Sequence, residues 1–103
     1  MEIIYATDDN FSNLVSKDVV LVDFYANWCG PCKMLSPILE SLASNRDGVK
    51  IVKVDVDKCE SLARSYGIMS IPTLILFKDG KQIDSKMGFV PEFELANWIQ
   101  SVK

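Results

Sequence analysis

Histidine is absent from this sequence, and cysteine is scarce, with three residues among 103. The absence of histidine removes the usual general base near neutral pH and the commonest metal ligand. A small, odd number of cysteines does not make the disulfide framework of a small secreted domain. The chemistry open to this chain is therefore that of thiols, carboxylates, lysines and tyrosines.

Long apolar runs and basic clusters are missing as well. No run approaches the ~20 apolar residues of a membrane span, and the first residues, Met1–Tyr5, lack the basic and apolar regions of a secretory signal. The net charge is −3, which argues against nucleic acid or anionic lipid as the main partner. These features predict a cytoplasmic protein that binds neither nucleic acid nor membrane.

Segments with strand-like and helix-like patterns alternate along the chain. The length suits one domain covering residues 1–103, and 49% hydrophobic residues suffice for one core. The β-like segments lie at 3–6, 19–26, 49–56, 71–77 and 82–87, with a hairpin turn at Asp79-Gly80. Helical patterns begin after Thr7 or Asp8, at Pro31, after Asp57 and at Pro91, and a loop ends at Gly48. This order, βαβαβαββα, predicts an α/β fold with a mixed five-stranded sheet between four helices.

Apolar residues at three- and four-residue spacing indicate the buried side of each longer helix. In the helix that begins at Pro31 they are Met34, Leu35, Ile38, Leu42 and Ala43. In the last helix they are Phe93, Leu95, Ala96, Trp98, Ile99 and Val102. The run 19–26, by contrast, is apolar almost throughout, which is typical of a strand buried on both faces.

Cys29 and Cys32 lie where that buried strand gives way to a helix. Residues three apart on the first helical turn share one side, within reach of a disulfide. Cys29 is at the helix N-terminus, where unpaired N–H groups and the helix dipole stabilise a thiolate and lower its pKa. We therefore expect Cys29 to be the exposed thiol that attacks a substrate disulfide, and Cys32 to be the more buried thiol that resolves the mixed disulfide.

Half of a zinc site is the alternative interpretation of two cysteines at this spacing. A zinc site needs two further soft or imidazole ligands. The sequence has no histidine, and its remaining thiol, Cys59, is remote. The position between a strand and a helix favours a redox pair, so we expect a redox-active disulfide and no bound metal or cofactor.

The segment Trp28-Cys29-Gly30-Pro31-Cys32-Lys33 resembles the active-site signature of the thioredoxin family. The similarity extends along the whole chain, through Val22-Asp23-Phe24, Pro37, Val52-Lys53-Val54-Asp55, Ile71-Pro72-Thr73 and Gly88. The resemblance implies a thioredoxin fold and a monomeric general protein-disulfide reductase. It also implies recharging by thioredoxin reductase and oxidised protein substrates of the peroxiredoxin, ribonucleotide reductase and methionine sulfoxide reductase types.

The resemblance gives roles to three further residues. It implies that Asp23 is a buried acid below the cysteines, with a raised pKa, that relays a proton to or from Cys32. Taken alone, Asp23 could also be a carboxylate exposed to solvent at a strand edge. It implies that Lys53 lies near this acid rather than in solvent. It also implies that Pro72 follows a cis bond beside the cysteines and leaves the Ile71 backbone free to pair with substrate.

A docking surface is the last feature that the resemblance implies. We expect a flat apolar surface around Cys29, formed by Trp28, Gly30, Pro31, Ile71, Pro72 and Gly88. Trp28 alone is equally consistent with a core position. Met87 and Phe89, beside Gly88, differ from the residues common in bacterial members of the family, so the detailed shape of the surface stays open.

Three alternatives stay open from the sequence. One is a thioredoxin-fold oxidant or isomerase, disfavoured by Gly30-Pro31 between the cysteines and by the missing signal segment. Another is a non-catalytic binding subunit that uses the same docking surface. The third concerns Cys59, which is either an inert small helix residue or a secondary oxidation or dimerisation site.

Overall fold

The computed structural model describes residues 3–45 and 49–103, with the backbone alone at Asn45, so the predicted loop end at Gly48 lies outside the described residues. The described part forms a five-stranded sheet in the order β1-β3-β2-β4-β5. The strands are β1 (Ile3–Tyr5), β2 (Val19–Tyr25), β3 (Val49–Asp55), β4 (Thr73–Lys78) and β5 (Lys81–Met87). β3 pairs parallel with β1 and β2, whereas β4 pairs antiparallel with β2 and β5. The predicted mixed sheet is confirmed.

Four helices accompany the sheet in the described residues: α1 (Phe11–Leu14), α2 (Gly30–Asn45), α3 (Glu60–Ser65) and α4 (Glu92–Val102). Successive residues of β2 belong to different clusters. Leu21 packs in a cluster with α2 and α4, and Val22 packs in another with Phe11 of α1 and Ala63 of α3. Both faces of β2 are therefore covered by helices, which explains its unbroken apolar sequence.

The structure corrects the predicted starts of two helices. α1 begins at Phe11 rather than after Thr7 or Asp8, because Thr7 and Asn10 close a turn first. The Thr7 amide donates to Oδ1 of Asn10 over 2.7 Å, and the Asn10 amide donates to Oγ1 of Thr7 over 3.2 Å. α3 begins at Glu60, because the amide of Asp57 donates to the Asp55 carboxylate over 2.9 Å and so belongs to a preceding turn.

Two apolar residues assigned to buried helix faces are exposed instead, Met34 and Phe93. On α2 the buried stripe consists of Leu35, Leu39 and Leu42, and Met34 lies beside it. On α4, Phe93 precedes buried Leu95 by two residues, which turns it by about 200° to the opposite side of the helix. Apolar character alone therefore misplaced both residues.

The hairpin between β4 and β5 agrees with its sequence signal. Asp79 has a φ of 50° and Gly80 a φ of 86°. Two consecutive positive φ values are what a tight turn between twisted strands requires. Among the helices of the described residues, none is both long and apolar enough to cross a membrane.

Candidate active site

Cys29 and Cys32 form a disulfide at the start of α2, immediately after β2. Their Cα atoms are 5.2 Å apart. The Cys29 amide donates to the Ala26 carbonyl over 3.2 Å, which turns the chain out of the sheet and into the helix. The pair therefore lies at an end of a central strand, and the predicted approach of the two sulfurs is confirmed.

The predicted difference in exposure between the cysteines is wrong for this disulfide form. Cys29 and Cys32 are each 4% exposed. The reason is that both pack in a small apolar cluster with Ala26, against the partly buried Tyr25 and Ile71. Exposure therefore does not distinguish the sulfur expected to attack from the one expected to resolve.

Hydrogen bonding does distinguish the two sulfurs. The amide of Cys32 donates to Sγ of Cys29 over 3.2 Å. Sγ of Cys29 also lies 3.8 Å from the carbonyl oxygen of Ile71, on the loop that precedes β4. A backbone N–H directed at a sulfur stabilises the thiolate over the thiol, so this geometry lowers the pKa of Cys29 in the reduced protein.

Asp23 lies in the middle of β2 and is completely buried, with 0% exposure. This excludes the exposed-edge alternative, because β2 has β3 on one side and β4 on the other. Within the described residues, neither carboxylate oxygen of Asp23 has a hydrogen-bond partner. Burial raises the pKa of Asp23 to about 7, and the positive charge of Lys53 partly opposes this rise. The acid can therefore gain and lose a proton near neutral pH.

Lys53 faces Asp23 from the neighbouring strand, where the two residues are in register. Its Nζ is 3.9 Å from Oδ2 of Asp23 and donates a hydrogen bond to Oγ of Ser36 over 3.1 Å. The residue is 6% exposed, so it is not the solvated strand residue that the sequence also allowed.

A cavity of about 280 Å³ adjoins Lys53, and Cys32 and Ser36 also line it. Two tyrosines, Tyr5 and Tyr25, form another part of its wall. The sequence-based assignment missed Ser36 and Tyr5. Ser36 follows Cys32 by four residues, and this spacing, which puts two helix residues on one side, was the signal that would have found it.

The peptide bond between Ile71 and Pro72 is cis. The Pro72 carbonyl accepts a hydrogen bond of 2.8 Å from the amide of Gly88, which has a φ of 86°. This bond ties the loop beside Cys29 to the end of β5. Gly88, although distant in sequence, is thereby joined to the cysteine pair through the Pro72 loop.

The residues of the expected docking surface are exposed or half-buried, with one exception. Trp28 is 70% exposed, and its indole Nε1 donates to Oδ2 of Asp57 over 2.9 Å, which excludes the core alternative. Gly30 and Pro31 are exposed, and Ile71 and Gly88 are half-buried. Pro72, however, is buried, because the strand β4 begins directly after it. Its ring therefore does not form part of the surface as predicted.

Exposed methionines border this surface. Met69 was not assigned to it from the sequence, yet it lines a cavity of about 170 Å³ together with Trp28 and Ile71. Its position two residues before Ile71 was the sequence signal that could have assigned it to this surface. Met87 lines another cavity together with Met69, and its sulfur accepts a hydrogen bond of 3.3 Å from the hydroxyl of Ser70.

Cys59 is a free thiol, buried at the position just before α3. Its Sγ lies 3.7 Å from the carbonyl oxygen of Ala6, and burial raises the pKa of this thiol. These features favour the inert interpretation of Cys59. Over residues 3–45 and 49–103, no three side chains of the metal-binding types come together as a metal site would require.

A disulfide of two residues spaced C-x-x-C, at the start of a helix that follows a central strand of a mixed sheet, defines a dithiol–disulfide oxidoreductase. The family model Thioredoxin matches residues 2–101. The chain belongs to the thioredoxin family.

Individual relatives agree with this assignment. A thioredoxin of Staphylococcus saprophyticus is 50% identical over 101 residues, covering 97% of each chain. A thioredoxin of Staphylococcus epidermidis is 52% identical over 97 residues, covering 93% of each chain. A solved structure of a mutant thioredoxin from Halobacterium salinarum is 43% identical and superposes with a TM-score of 0.91, over 97% of this chain and 89% of that one.

Proposed function

We propose that this protein is a general protein-disulfide reductase in which Cys29 attacks and Cys32 resolves. The observation that carries the assignment is the hydrogen bond of 3.2 Å from the Cys32 amide to the sulfur of Cys29. The donor is a backbone group, so it stays in place when the disulfide opens. It then stabilises negative charge on Cys29 and makes that sulfur the better nucleophile at neutral pH.

The reaction proceeds in two exchanges. The Cys29 thiolate attacks one sulfur of a substrate disulfide, the mixed disulfide forms, and the first substrate sulfur leaves as a thiolate. The thiolate of Cys32 then attacks Cys29, the Cys29–Cys32 disulfide forms, and the second substrate sulfur leaves. Two electrons pass from the protein to the substrate, and the two released thiolates take up protons.

Asp23 is the proposed proton relay for the second exchange. Cys32 must lose a proton before it attacks, and a carboxylate with a pKa of about 7 accepts protons effectively at neutral pH. Lys53, 3.9 Å away, carries the positive charge that keeps this carboxylate ionisable although it is buried. Pro72 is proposed to act indirectly, by holding the adjoining loop against the cysteines.

The proposed docking surface consists of Trp28, Gly30, Pro31, Ile71 and Gly88. The Ile71 carbonyl lies beside the attacking sulfur, at 3.8 Å, so a substrate segment that pairs with the Ile71 backbone brings its disulfide to Cys29. Exposed Trp28, which lines a cavity together with Ile71, adds apolar contact area.

Residues 1–103 are proposed to act as one monomeric domain in the cytoplasm, without a bound cofactor. Thioredoxin reductase returns two electrons to the Cys29–Cys32 disulfide after each cycle. Oxidised enzymes of the peroxiredoxin, ribonucleotide reductase and methionine sulfoxide reductase types are the proposed substrates. The family assignment supports these partners. A measurement of the reduction potential of the Cys29–Cys32 disulfide would distinguish this reductase from an oxidant or isomerase with the same fold.

The decisive experiment traps the mixed disulfide. Reduced Cys32→Ser protein, mixed with insulin, is expected to accumulate an adduct through Cys29 that dithiothreitol releases. The matched variant Cys29→Ser is expected to form no adduct and to lose insulin reduction. An adduct formed by Cys29→Ser, or none formed by Cys32→Ser, contradicts the assigned roles.

A further inference from the structure

Ser36 has no part in the mechanism described above, yet it contacts a member of the site. Its Oγ accepts a hydrogen bond of 3.1 Å from Nζ of Lys53. Among the described residues this is the single hydrogen bond of the ammonium group. Oδ2 of Asp23 lies 3.9 Å from Nζ, which is beyond hydrogen-bond length.

Aromatic rings hold the ammonium of Lys53 from another direction. Nζ lies 4.6 Å from the ring centroid of Tyr25 and 5.8 Å from that of Tyr5, distances at which a cation is attracted to a ring. A ring attracts a cation without offering a directional acceptor. The hydroxyl of Ser36 is therefore the group that fixes where the ammonium points.

We propose that Ser36 is a positioning residue that holds the ammonium of Lys53 out of contact with the carboxylate of Asp23. A buried cation needs an acceptor. If the Ser36 hydroxyl is removed, the ammonium loses the hydrogen bond that it makes here, and it closes the gap of 3.9 Å to the Asp23 carboxylate to form a direct ion pair. This inference rests on the proposed role of Asp23 as the proton relay.

The distance matters because direct contact would hold Asp23 in its charged form. A carboxylate that accepts a hydrogen bond from an ammonium is a weaker base and has a lower pKa. Neither oxygen of Asp23 accepts a hydrogen bond within the described part of the chain, which agrees with an acid kept neutral for part of the time at neutral pH. Ser36 therefore maintains the acid in the range in which it exchanges protons.

Few other charges act on Asp23. Across β4 its register partner is Leu74, which does not titrate, and on β3 the partner is Lys53 itself. The phenol of Tyr25 lies on its own strand, and burial raises the pKa of that phenol to about 12, so Tyr25 stays neutral in the relevant range. On α2, Cys32 does not titrate while it is in the disulfide.

The test is the titration of the Asp23 carboxyl carbon by NMR in the disulfide form. Ser36→Ala is expected to lower the apparent pKa of Asp23 by about half a unit or more, a ~3-fold change in the protonation equilibrium. Ser36→Thr, which restores the hydroxyl, is expected to retain the parental value. Ser44→Ala is the matched control on the same helix, because the Ser44 hydroxyl donates locally to the Glu40 carbonyl over 3.0 Å.

A second background shows whether Ser36 acts through Lys53. In Lys53→Met, the change Ser36→Ala is expected to leave the pKa of Asp23 unmoved, whereas an equal shift in both backgrounds overturns the inference. An unchanged or raised pKa in Ser36→Ala alone also overturns it. The rate of insulin reduction by Asp23→Asn separates failure of the relay from failure of the positioning role. An unchanged rate refutes the proposed relay. A slowed rate, together with an Asp23 pKa that Ser36→Ala does not change, refutes the positioning role alone.

Discussion

The amide nitrogen of Cys32 donates a hydrogen bond to the sulfur of Cys29 over 3.2 Å, although the two residues are equally buried. The difference between the cysteines is therefore electrostatic and not a matter of access in the disulfide form. Because the donor belongs to the backbone, replacing the side chain of Cys32 leaves it in place.

The first prediction concerns the acidity of Cys29. In reduced protein, iodoacetamide is expected to modify Cys29 with an apparent pKa below the ~8.5 of a free cysteine. Peptide mass spectrometry over a pH series measures this. Cys32→Ser is expected to retain the lowered pKa of Cys29, since the amide donor remains. A Cys29 that titrates like a free thiol in this variant would show that the backbone donor does not act on it.

The second prediction follows from the burial of Asp23. Its pKa rises from 3.8 to about 7 in the folded state. The folded chain therefore binds more protons than the unfolded chain between these values, and its stability falls as the pH rises through that window. Asparagine resembles the neutral form of the acid. The free energy of unfolding of Asp23→Asn should therefore equal that of the parent near pH 4 and exceed it above pH 7 by up to ~4 kcal/mol.

Urea unfolding of the disulfide form across this pH range measures the difference. Asp9→Asn is the matched control, because it makes the same chemical change at an exposed residue before α1. If the stability of Asp23→Asn ran parallel to that of the parent across this pH range, the raised pKa of Asp23 would be contradicted.

The third prediction separates backbone conformation from space at two glycines. A Cβ at Gly88 or at Gly30 would meet no atom within 4 Å, but Gly88 alone of the two has a positive φ, of 86°. Gly88→Ala is expected to lower the free energy of unfolding by about 1–2 kcal/mol. Gly30→Ala is expected to leave it unchanged or to raise it by up to ~1 kcal/mol. Equal losses in both variants, measured by urea unfolding, would indicate that the backbone conformation is not the cause.

The fourth prediction concerns the third thiol. Cys29 and Cys59 are equally buried, but burial raises the pKa of Cys59 whereas the Cys32 amide stabilises the thiolate of Cys29, so in reduced, folded protein Cys29 should react with a thiol reagent well before Cys59 does. Unfolding in urea should make all of them react together. Cys59→Ser is expected to leave insulin reduction unchanged, and a covalent dimer that vanishes in this variant would overturn the inert interpretation.

Where local sequence and tertiary packing agree, the fold was predictable from the chain. The apolar run of β2 predicted a strand buried on both faces, and Asp79-Gly80 predicted the hairpin turn. The prediction of buried residues failed where an apolar side chain could lie either in the core or at the surface. Met34 and Phe93 are apolar but exposed, because the sheet is contacted by the other side of each helix.

The site was predictable in composition but not in its electrostatics. The cysteine spacing indicated a disulfide, whereas the equal burial of Cys29 and Cys32 depends on a loop that arrives from residue 71. The contact of Ser36 with Lys53 joins a helix to a strand 17 residues along the chain, so no local pattern contains it.

The two outer strands of the sheet, β1 and β5, are the edges at which another strand could pair. β1 has three residues, and β5 carries exposed Lys81 and Asp84 and is offset against β4 by a register shift at Leu76 and Phe77. Short, charged and irregular edges are poor templates for another strand. The edges of the sheet therefore disfavour strand pairing between two copies of the chain.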